Sequence, residues 1–361
     1  MADIISRELL KVIALSIKAE QPDLVAELIS TGLINHSFRL NDNRSSGSYF
    51  LQSINRAVFP DPGLVQDNYL RIYNYLRERQ PGFSIPKPLS FYDGKYGLYD
   101  QNGNYWRFFQ WVNNMQTIST VTRIEQAKEM AQTFGLFSLA FKEFNPATLS
   151  ETLPHFHDLS YRNSQFQTAI ANALPSRIKR SEDIISALTG KGHYTTFFES
   201  IRNDRTAFPL RVMHLDAKIS NILFHADSGK VWGPVDLDTV MPGYFFSDIG
   251  DMIRSLAGSS EENDTDLSSL HIRKDYYTAL IDGYSSVMEN ELTPTEKIHL
   301  HAAGPMMIYM QAIRFLADHL TGDHYYKVSY SEQNFDRAIN QFTLLEKLER
   351  FLLREYSYSI G

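Results

Sequence analysis

The sequence predicts an α+β protein of two lobes, a small antiparallel β lobe followed by a mostly helical C-terminal lobe. Three observations predict it. Short strand-like segments bounded by turn residues fill most of the first 112 positions. Helix-period apolar repeats fill most of residues 113–361. A pair of short strands around residues 212–240 interrupts the helices, and the Asp and Asn residues flanking it carry the chemistry.

The elements follow in order. Residues 1–20 place Arg7, Glu8, Lys11 and Lys18 among apolar positions, which reads as an amphipathic helix and lacks the unbroken apolar core of a signal peptide. Strand patterns lie at 24–30, 33–40 and 49–54, with an Asn, Ser and Gly-rich turn at 41–48. A helix is expected over 64–79, where Leu64, Leu70, Ile72, Tyr73 and Leu76 recur. Strands at 88–92, 96–99 and 105–112 are separated by Asp93-Gly94 and Asn102-Gly103 turns. Helical periodicity then runs over 122–144, 264–289, 293–320 and 332–356.

Composition narrows the function classes. The 361 residues include 43% hydrophobic and 21% charged side chains, the balance of a globular chain. The formal net charge of -7 disfavours nucleic acid and anionic membrane as partners. The absence of cysteine removes disulfides, thiolate metal sites and thiol nucleophiles. No run approaches the roughly 20 apolar residues that span a bilayer, so a cytoplasmic protein is expected.

From Arg211 to Asp251 the chain reads RVMHLDAKISNILFHADSGKVWGPVDLDTVMPGYFFSDIGD. Residues 222–225 and 230–235 are short apolar segments joined by Ala226-Asp227-Ser228-Gly229, a hairpin pattern. Such a hairpin carries Asn221 at its entry towards Asp236 at its exit, with Asp216 in the loop before it. These are oxygen ligands only, suited to Mg²⁺. Phosphoryl transfer needs one carboxylate to take the proton of the attacking hydroxyl and further oxygens to hold a metal on the phosphates. Asp216 is the candidate base, Asn221 and Asp236 the candidate metal ligands, and His214 a support for the loop. Taken singly, Asp216, Asn221 and Asp227 are ordinary turn residues, and Asp236 and Asp238 an exposed strand face. Their joint occurrence in H-x-D-x-x-x-x-N, a hairpin-length gap and an apolar-D-x-D tail favours the kinase reading.

These motifs resemble the aminoglycoside phosphotransferase and choline kinase superfamily, and more closely the N-acetylhexosamine 1-kinases. GLIN at 32–35, LQSIN at 51–55, FPD at 59–61 and HFHD at 155–158 are similar to that branch. So are DLDTVMPG at 236–243, DIGDMIR at 248–254 and RFLADHLTGDHYY at 314–326. The resemblance implies a protein-kinase-like two-lobed fold with ATP as co-substrate and Mg²⁺ as cofactor. The implied reaction phosphorylates the anomeric hydroxyl of N-acetylglucosamine or N-acetylgalactosamine. It implies Asp216 as base, Asn221 and Asp236 as metal ligands, and Arg314 and Tyr325 near the sugar. Residues 1–112 become the nucleotide-binding lobe, with adenine at the 107–112 hinge (Gln110, Trp111 and Val112) and Gln52 nearby. Residues 113–361 become the catalytic and substrate lobe.

The sequence also departs from expectation. A kinase-type small lobe has a Gly-rich loop and a lysine on its third strand; here only Gly32 and Gln52 occupy those places. Arg56 or a second metal is then the candidate to meet the triphosphate. Leu33 stands where a histidine is expected, which bears on sugar preference. His155, His157 and Asp158 fit a zinc site poorly and a structural or substrate-side role better. Arg314 has an alternative partner in Asp318 at i,i+4. Asp238 and Asp248 are candidates for orienting loops, Asp251 and Arg254 for an ion pair, and Phe245 for either core or sugar platform. Another hydroxyl acceptor (aminoglycoside, choline or homoserine) and a pseudokinase binding module are the competing readings.

Overall fold

The computed structural model describes residues 5–17, 23–30, 34–44 and 47–360. Gly32, Leu33 and Lys18 lie outside the described residues. In chain order the elements are α1 (Arg7–Ser16), β1 (Leu24–Ile29), β2 (His36–Asp42), β3 (Ser48–Ile54), α2 (Pro62–Arg79), β4 (Pro88–Leu89), β5 (Leu98–Tyr99), β6 (Tyr105–Gln110) and β7 (Met115–Gln116). Helices α3 (Ile124–Ala140), α4 (Leu159–Asn172), α5 (Pro175–Thr189) and α6 (His193–Asn203) follow. Next are β8 (Arg211–Met213), β9 (Ile222–His225), β10 (Val231–Pro234) and β11 (Met241–Gly243). Helices α7 (Phe246–Leu256), α8 (Lys274–Met288), α9 (Pro294–Ile298), α10 (Ala303–Thr321) and α11 (Gln333–Tyr356) complete the chain. An antiparallel sheet at the N-terminal end and a mainly helical remainder make this the kinase-like α+β fold expected from the sequence.

The chain forms two compact units. The first comprises Met1–Thr117, Ala147–Pro154 and Leu223–Met241; the second comprises Ile118–Pro146, His155–Ile222 and Pro242–Gly361. In the first unit, β1-β2-β3-β6-β4 form an antiparallel sheet, with β5 also on β6. Ser6 Oγ accepts from Leu9 N and starts α1. That helix turns Leu9 and Ile13 onto Phe38, Leu40, Leu51, Trp106 and Phe108 of the sheet. The alternation of strand side chains makes this face a core, and Gln52 lies opposite Arg107 in the β3–β6 register. The expected strand at 88–92 stops after Leu89. Phe91 N bonds to Lys95 O and Gly94 N to Phe91 O, so a turn takes the last residues.

The expected hairpin is present as β9 and β10. His225 N bonds to Lys230 O, and Gly229 supplies the positive φ of +66° that the turn requires. Gly233 on β10 passes so close to Ser84 O that a Cβ would sit 2.3 Å from it.

In the second unit, α3 packs along α8, and α10 lies against α4, α7 and α11. Two of the expected helices are shorter than their periodicity. Residues 264–273 stay irregular, and two Asp side chains there capture backbone amides: Glu261 N bonds to Asp264, and Ser268 N to Asp266. The helix expected over 293–320 breaks between α9 and α10. Pro305 has no N–H for a bond to residue 301 and its ring clashes with that carbonyl, so α10 starts at Ala303 with the proline in its first turn. Among the described residues, no helix is long and apolar enough to cross a membrane.

Candidate active site

In the second unit, β8 leads into the loop His214–Asn221. Leu215 there holds φ +65°, which a leucine resists. Two hydrogen bonds fix it: His214 N and Leu215 N donate to Asp248 Oδ2 and Oδ1 at 2.9 and 2.7 Å. Asp248 sits on α7 and is fully buried. Burial pushes its carboxyl up to about 7, against the two amides that favour its charged form. The His214 ring is wedged edge-on to Phe134 and Phe137 of α3, with ring centres 5.0 and 5.9 Å away. Its Nδ1 accepts from Asp216 N at 3.3 Å. The histidine thus holds the loop by its backbone.

Asp216 is half-buried, and both carboxylate oxygens are engaged. Oδ2 accepts from Asn221 Nδ2 at 2.9 Å, and Oδ1 pairs with Lys218 Nζ at 2.6 Å. Asn221 Nδ2 also reaches Asp216 O at 2.9 Å. The amide nitrogen of Asn221 is therefore committed to Asp216, which leaves Oδ1 as the ligand end of that side chain. A neutral oxygen donor of this kind fits Mg²⁺.

In the first unit, Asp236 follows β10 in the left-handed conformation, φ +59°. Asp238, two residues on, is buried. Its Oδ1 pairs with Arg107 Nη2, its Oδ2 accepts from Asn35 Nδ2 at 2.7 Å, and its backbone O accepts from Thr152 Oγ1 at 2.9 Å. Arg107 donates from Nε and Nη2 to Gln52 Oε1 at 3.0 and 2.6 Å, and Gln52 Nε2 donates to Ser37 Oγ at 3.0 Å. An exposed strand face, the bland reading of Asp238, is excluded. Arg56 donates to Gly103 O at 3.1 Å and lies over the Tyr99 ring. Gln110 is exposed at the end of β6, and its N–H bonds to Lys87 O. Trp111 N bonds to Ser48 O, Arg39 lies 4.7 Å over its ring, and Val112 follows.

The second unit also gathers an aromatic and guanidinium cluster. Arg314 on α10 donates to Gln311 Oε1 at 3.1 Å and lies 5.4 to 5.8 Å from the rings of Phe156, Tyr326 and Tyr325. Asp318 is not its partner. That carboxylate instead accepts from His324 N, Tyr325 N, Tyr326 N and Asn334 Nδ2 at 2.8 to 3.0 Å. Gly322 and Asp323, with φ +112° and +61°, turn the chain back so that those amides point at it. Tyr325 is exposed. Arg162 spends its fork on Phe156 O and Gln165 Oε1. Neither Arg162 nor Arg314 has a carboxylate partner among the described residues.

His157 lies in this cluster, and its Nδ1 is out of solvent with no hydrogen-bond partner. Burial, then Arg314 and Arg162, push its pKa down to about 3, with Asp216 acting the other way. Burial and then Arg314 bring Arg162 down to about 10. His155 is separate: its Nδ1 lies 3.2 Å from Asp158 Oδ2 and its ring stacks on Tyr161. Asp158 caps α4. Among the described residues, no group of three His, Cys, Asp or Glu could hold a metal ion.

Asp251 and Arg254 form a buried pair at 2.8 Å that extends to Glu262. Phe245 is core, stacked on Phe208. The sequence reading did not single out Lys218, Arg107 as an ion-pair partner, Arg162 or Thr152. Lys218 stood inside the catalytic motif; the others gain meaning only through contacts distant in sequence.

Residues 25–284 match the phosphotransferase enzyme family, APH. The fold is similar to that of a microcompartment-associated aminopropanol kinase, at 13% identity over 98% of this chain and 100% of that one, TM-score 0.61. It is similar to an aminoglycoside phosphotransferase from Alicyclobacillus acidocaldarius, at 14% identity over 98% and 96% of the two chains, TM-score 0.63. It is also similar to a choline kinase from Cryptosporidium parvum, at 13% identity over 97% of each chain, TM-score 0.60. With the candidate motif His214–Asn221 inside the matched span, the chain belongs to the phosphotransferase enzyme family.

Proposed function

We propose that this protein transfers the γ-phosphoryl group of ATP to the anomeric hydroxyl of an uncharged amino sugar, N-acetylglucosamine or N-acetylgalactosamine, giving the 1-phosphate. Asp216 takes the hydroxyl proton. Asn221, through Oδ1, and Asp236 hold Mg²⁺, which neutralises charge on the phosphates when bound. Residues 1–112 bind the nucleotide, with the backbone of Gln110, Trp111 and Val112 towards adenine and Gln52 nearby. Arg314 and Tyr325 contact the sugar, while His214 and Asp238 support the loops. Residues 113–361 supply the catalytic loop and the acceptor site.

The observation that carries the acceptor class is the pair Arg162 and Arg314, in the same unit as Asp216, with aromatic neighbours and no carboxylate partner. The three structural relatives are named for acceptors that carry an amine or a quaternary ammonium. Two like charges about 4 Å apart repel by roughly 4 kcal/mol at an effective dielectric of about 20. An ammonium beside either arginine is disfavoured on that scale, whereas sugar hydroxyls and an acetamido oxygen accept from guanidinium and stack on rings.

The test is incubation with ATP, Mg²⁺ and a panel of N-acetylhexosamines, hexoses, choline, aminopropanol and aminoglycosides, read by phosphorus NMR. A sugar 1-phosphate resonance is expected. Phosphate appearing only on an amine-bearing acceptor overturns the substrate class, and no transfer to any acceptor overturns the kinase reading.

A further inference from the structure

The cluster around Arg314 continues outwards. The Arg314 guanidinium lies over Phe156, and Arg162 donates to Phe156 O. Arg162 in turn lies 5.5 Å from the ring of Tyr161, and Tyr161 stacks on His155 with ring centres 4.3 Å apart and planes 22° from parallel. Rings and guanidinium groups thus run without a break from His157 to His155. The inner end lies towards Asp216, whose charge His157 feels after burial and the two arginines. The outer end is open: Tyr161 is 38% exposed and Tyr325 61%.

The chain is built to hold this outer end. His155 keeps a left-handed φ of +58°, which a histidine adopts only when its surroundings impose it. Asp158 imposes it. Its Oδ1 accepts from Tyr161 N at 3.0 Å as the cap of α4, and its Oδ2 lies 3.2 Å from His155 Nδ1. One carboxylate therefore fixes both members of the stack. Among the described residues, His155 Nε2 and the Tyr161 hydroxyl have no hydrogen-bond partner. Fixed, exposed rings beside unfilled polar groups suit a sugar, whose C–H face stacks while its hydroxyls bond.

We propose that the preferred acceptor is a neutral disaccharide with an N-acetylhexosamine at its reducing end, and that its second sugar lies against Tyr161 and His155. This rests on the hexosamine reading of the inner site. A pyranose is little wider than one aromatic ring, so a single sugar with its C1 hydroxyl at Asp216 leaves the outer stack bare. The C1 oxygen must be free to react, so the second sugar is joined through O3 or O4, the ring positions farthest from C1. The outer sugar is uncharged, because Arg162 is already bonded to Phe156 O and Gln165 Oε1 and Asp158 stands beside His155. The transfer itself is unchanged. The C1 hydroxyl proton passes to Asp216 and its oxygen bonds to the γ-phosphorus. The bond to the bridging oxygen breaks, and its electron pair leaves with ADP.

The test uses the full-length protein with ATP and Mg²⁺. It compares N-acetylglucosamine and N-acetylgalactosamine with their β1,3- and β1,4-galactosyl disaccharides, for wild type, Tyr161→Ala and His155→Gly. Glycine accepts the left-handed φ, so His155→Gly removes a ring without adding strain. Wild type is expected to show a kcat/KM about tenfold higher for at least one disaccharide than for its monosaccharide. Each variant lowers that disaccharide value about 3- to 10-fold and leaves the monosaccharide value within about twofold. A wild type that favours the monosaccharides, or variants that lower every acceptor alike, overturn the subsite and leave the hexosamine reading standing. Should Tyr161→Ala fail to fold, by circular dichroism, His155→Gly carries the comparison.

Saturation-transfer NMR with the methyl β-glycosides of the same disaccharides, which have no C1 hydroxyl to phosphorylate, reads contact alone. Signal on both rings, lost from the outer ring in the variants, supports the subsite. Signal on the inner ring only overturns it. Signal on neither ring, with phosphate passing only to non-sugar acceptors, overturns the hexosamine reading and the subsite together.

Discussion

Gln52 on β3 and Arg107 on β6 are register partners, and Gln52 Oε1 accepts two hydrogen bonds from the Arg107 guanidinium. A buried arginine on the neighbouring strand, rather than a lysine on the third, thereby brings positive charge into this sheet. The guanidinium goes on to pair with Asp238, two residues from Asp236. Removing one member of a buried ion pair leaves the other charge uncompensated, at a cost of about 3 to 5 kcal/mol. Arg107→Leu is therefore expected to lower the urea midpoint by that equivalent. Asp238→Asn in the same chain restores part of it, because the stranded charge is gone. A double variant no more stable than Arg107→Leu alone contradicts the coupling.

Asp216→Asn keeps a carbonyl oxygen and the shape of the side chain but removes the carboxylate proposed to take the proton. General-base catalysis contributes about 10²- to 10⁴-fold. Turnover is expected to drop by that range, with Mg²⁺-ADP affinity within about threefold of wild type by calorimetry. Retention of most of the activity means that another group takes the proton.

Asp318 gathers three successive backbone amides, His324 to Tyr326, under the loop that carries Tyr325. Each bond to a charged acceptor contributes about 1.5 to 3 kcal/mol. Asp318→Ala is expected to cost about 3 kcal/mol of stability and to raise the acceptor KM about tenfold or more through loss of loop order. Arg314→Met, by contrast, raises acceptor KM by a similar factor with little loss of stability, since among the described residues its one side-chain hydrogen bond is to Gln311. In both, the ATP KM is expected to hold. A shift in ATP KM equal to that in acceptor KM argues against an acceptor role for this cluster.

The candidate catalytic loop was legible because its residues are close in sequence. His214, Asp216 and Asn221 lie within eight residues, and the turn joining β9 to β10 is written in Asp227, Ser228 and Gly229. The helix periods located α3, α10 and α11 for the same reason: a face that must be buried repeats along one segment. Helix ends were harder to read. Pro305 sits inside an otherwise apolar repeat, and residues 264–273 keep a helical pattern while Asp264 and Asp266 take backbone amides. The Arg107 network was hidden for another reason. It links Asn35, Ser37, Gln52, Arg107, Thr152 and Asp238, and no spacing rule joins positions that only strand register brings together. Asp318 shows the converse: the i,i+4 rule offers Arg314 as its partner, but three amides turned inward by Gly322 and Asp323 hold the carboxylate instead.

Asp248 makes stability depend on pH in a direction opposite to that of a surface carboxylate. Burial holds its folded pKa at about 7, above the ordinary value of 3.8. Between those values the folded state binds a proton that the unfolded chain has released. Its contribution is thus fully present below about pH 4 and is lost as pH rises through about 7, by at most about 1.4 kcal/mol per unit. Asp248→Asn has no such proton. It is less stable than wild type throughout, because one amide oxygen cannot serve both His214 N and Leu215 N as two carboxylate oxygens do. The gap between the two proteins is expected to narrow from pH 5 to pH 7 and to stay constant from pH 8 to pH 9. Urea unfolding of both proteins across that range measures it, and a gap that stays constant from pH 5 to pH 9 means the buried carboxylate is ionised throughout.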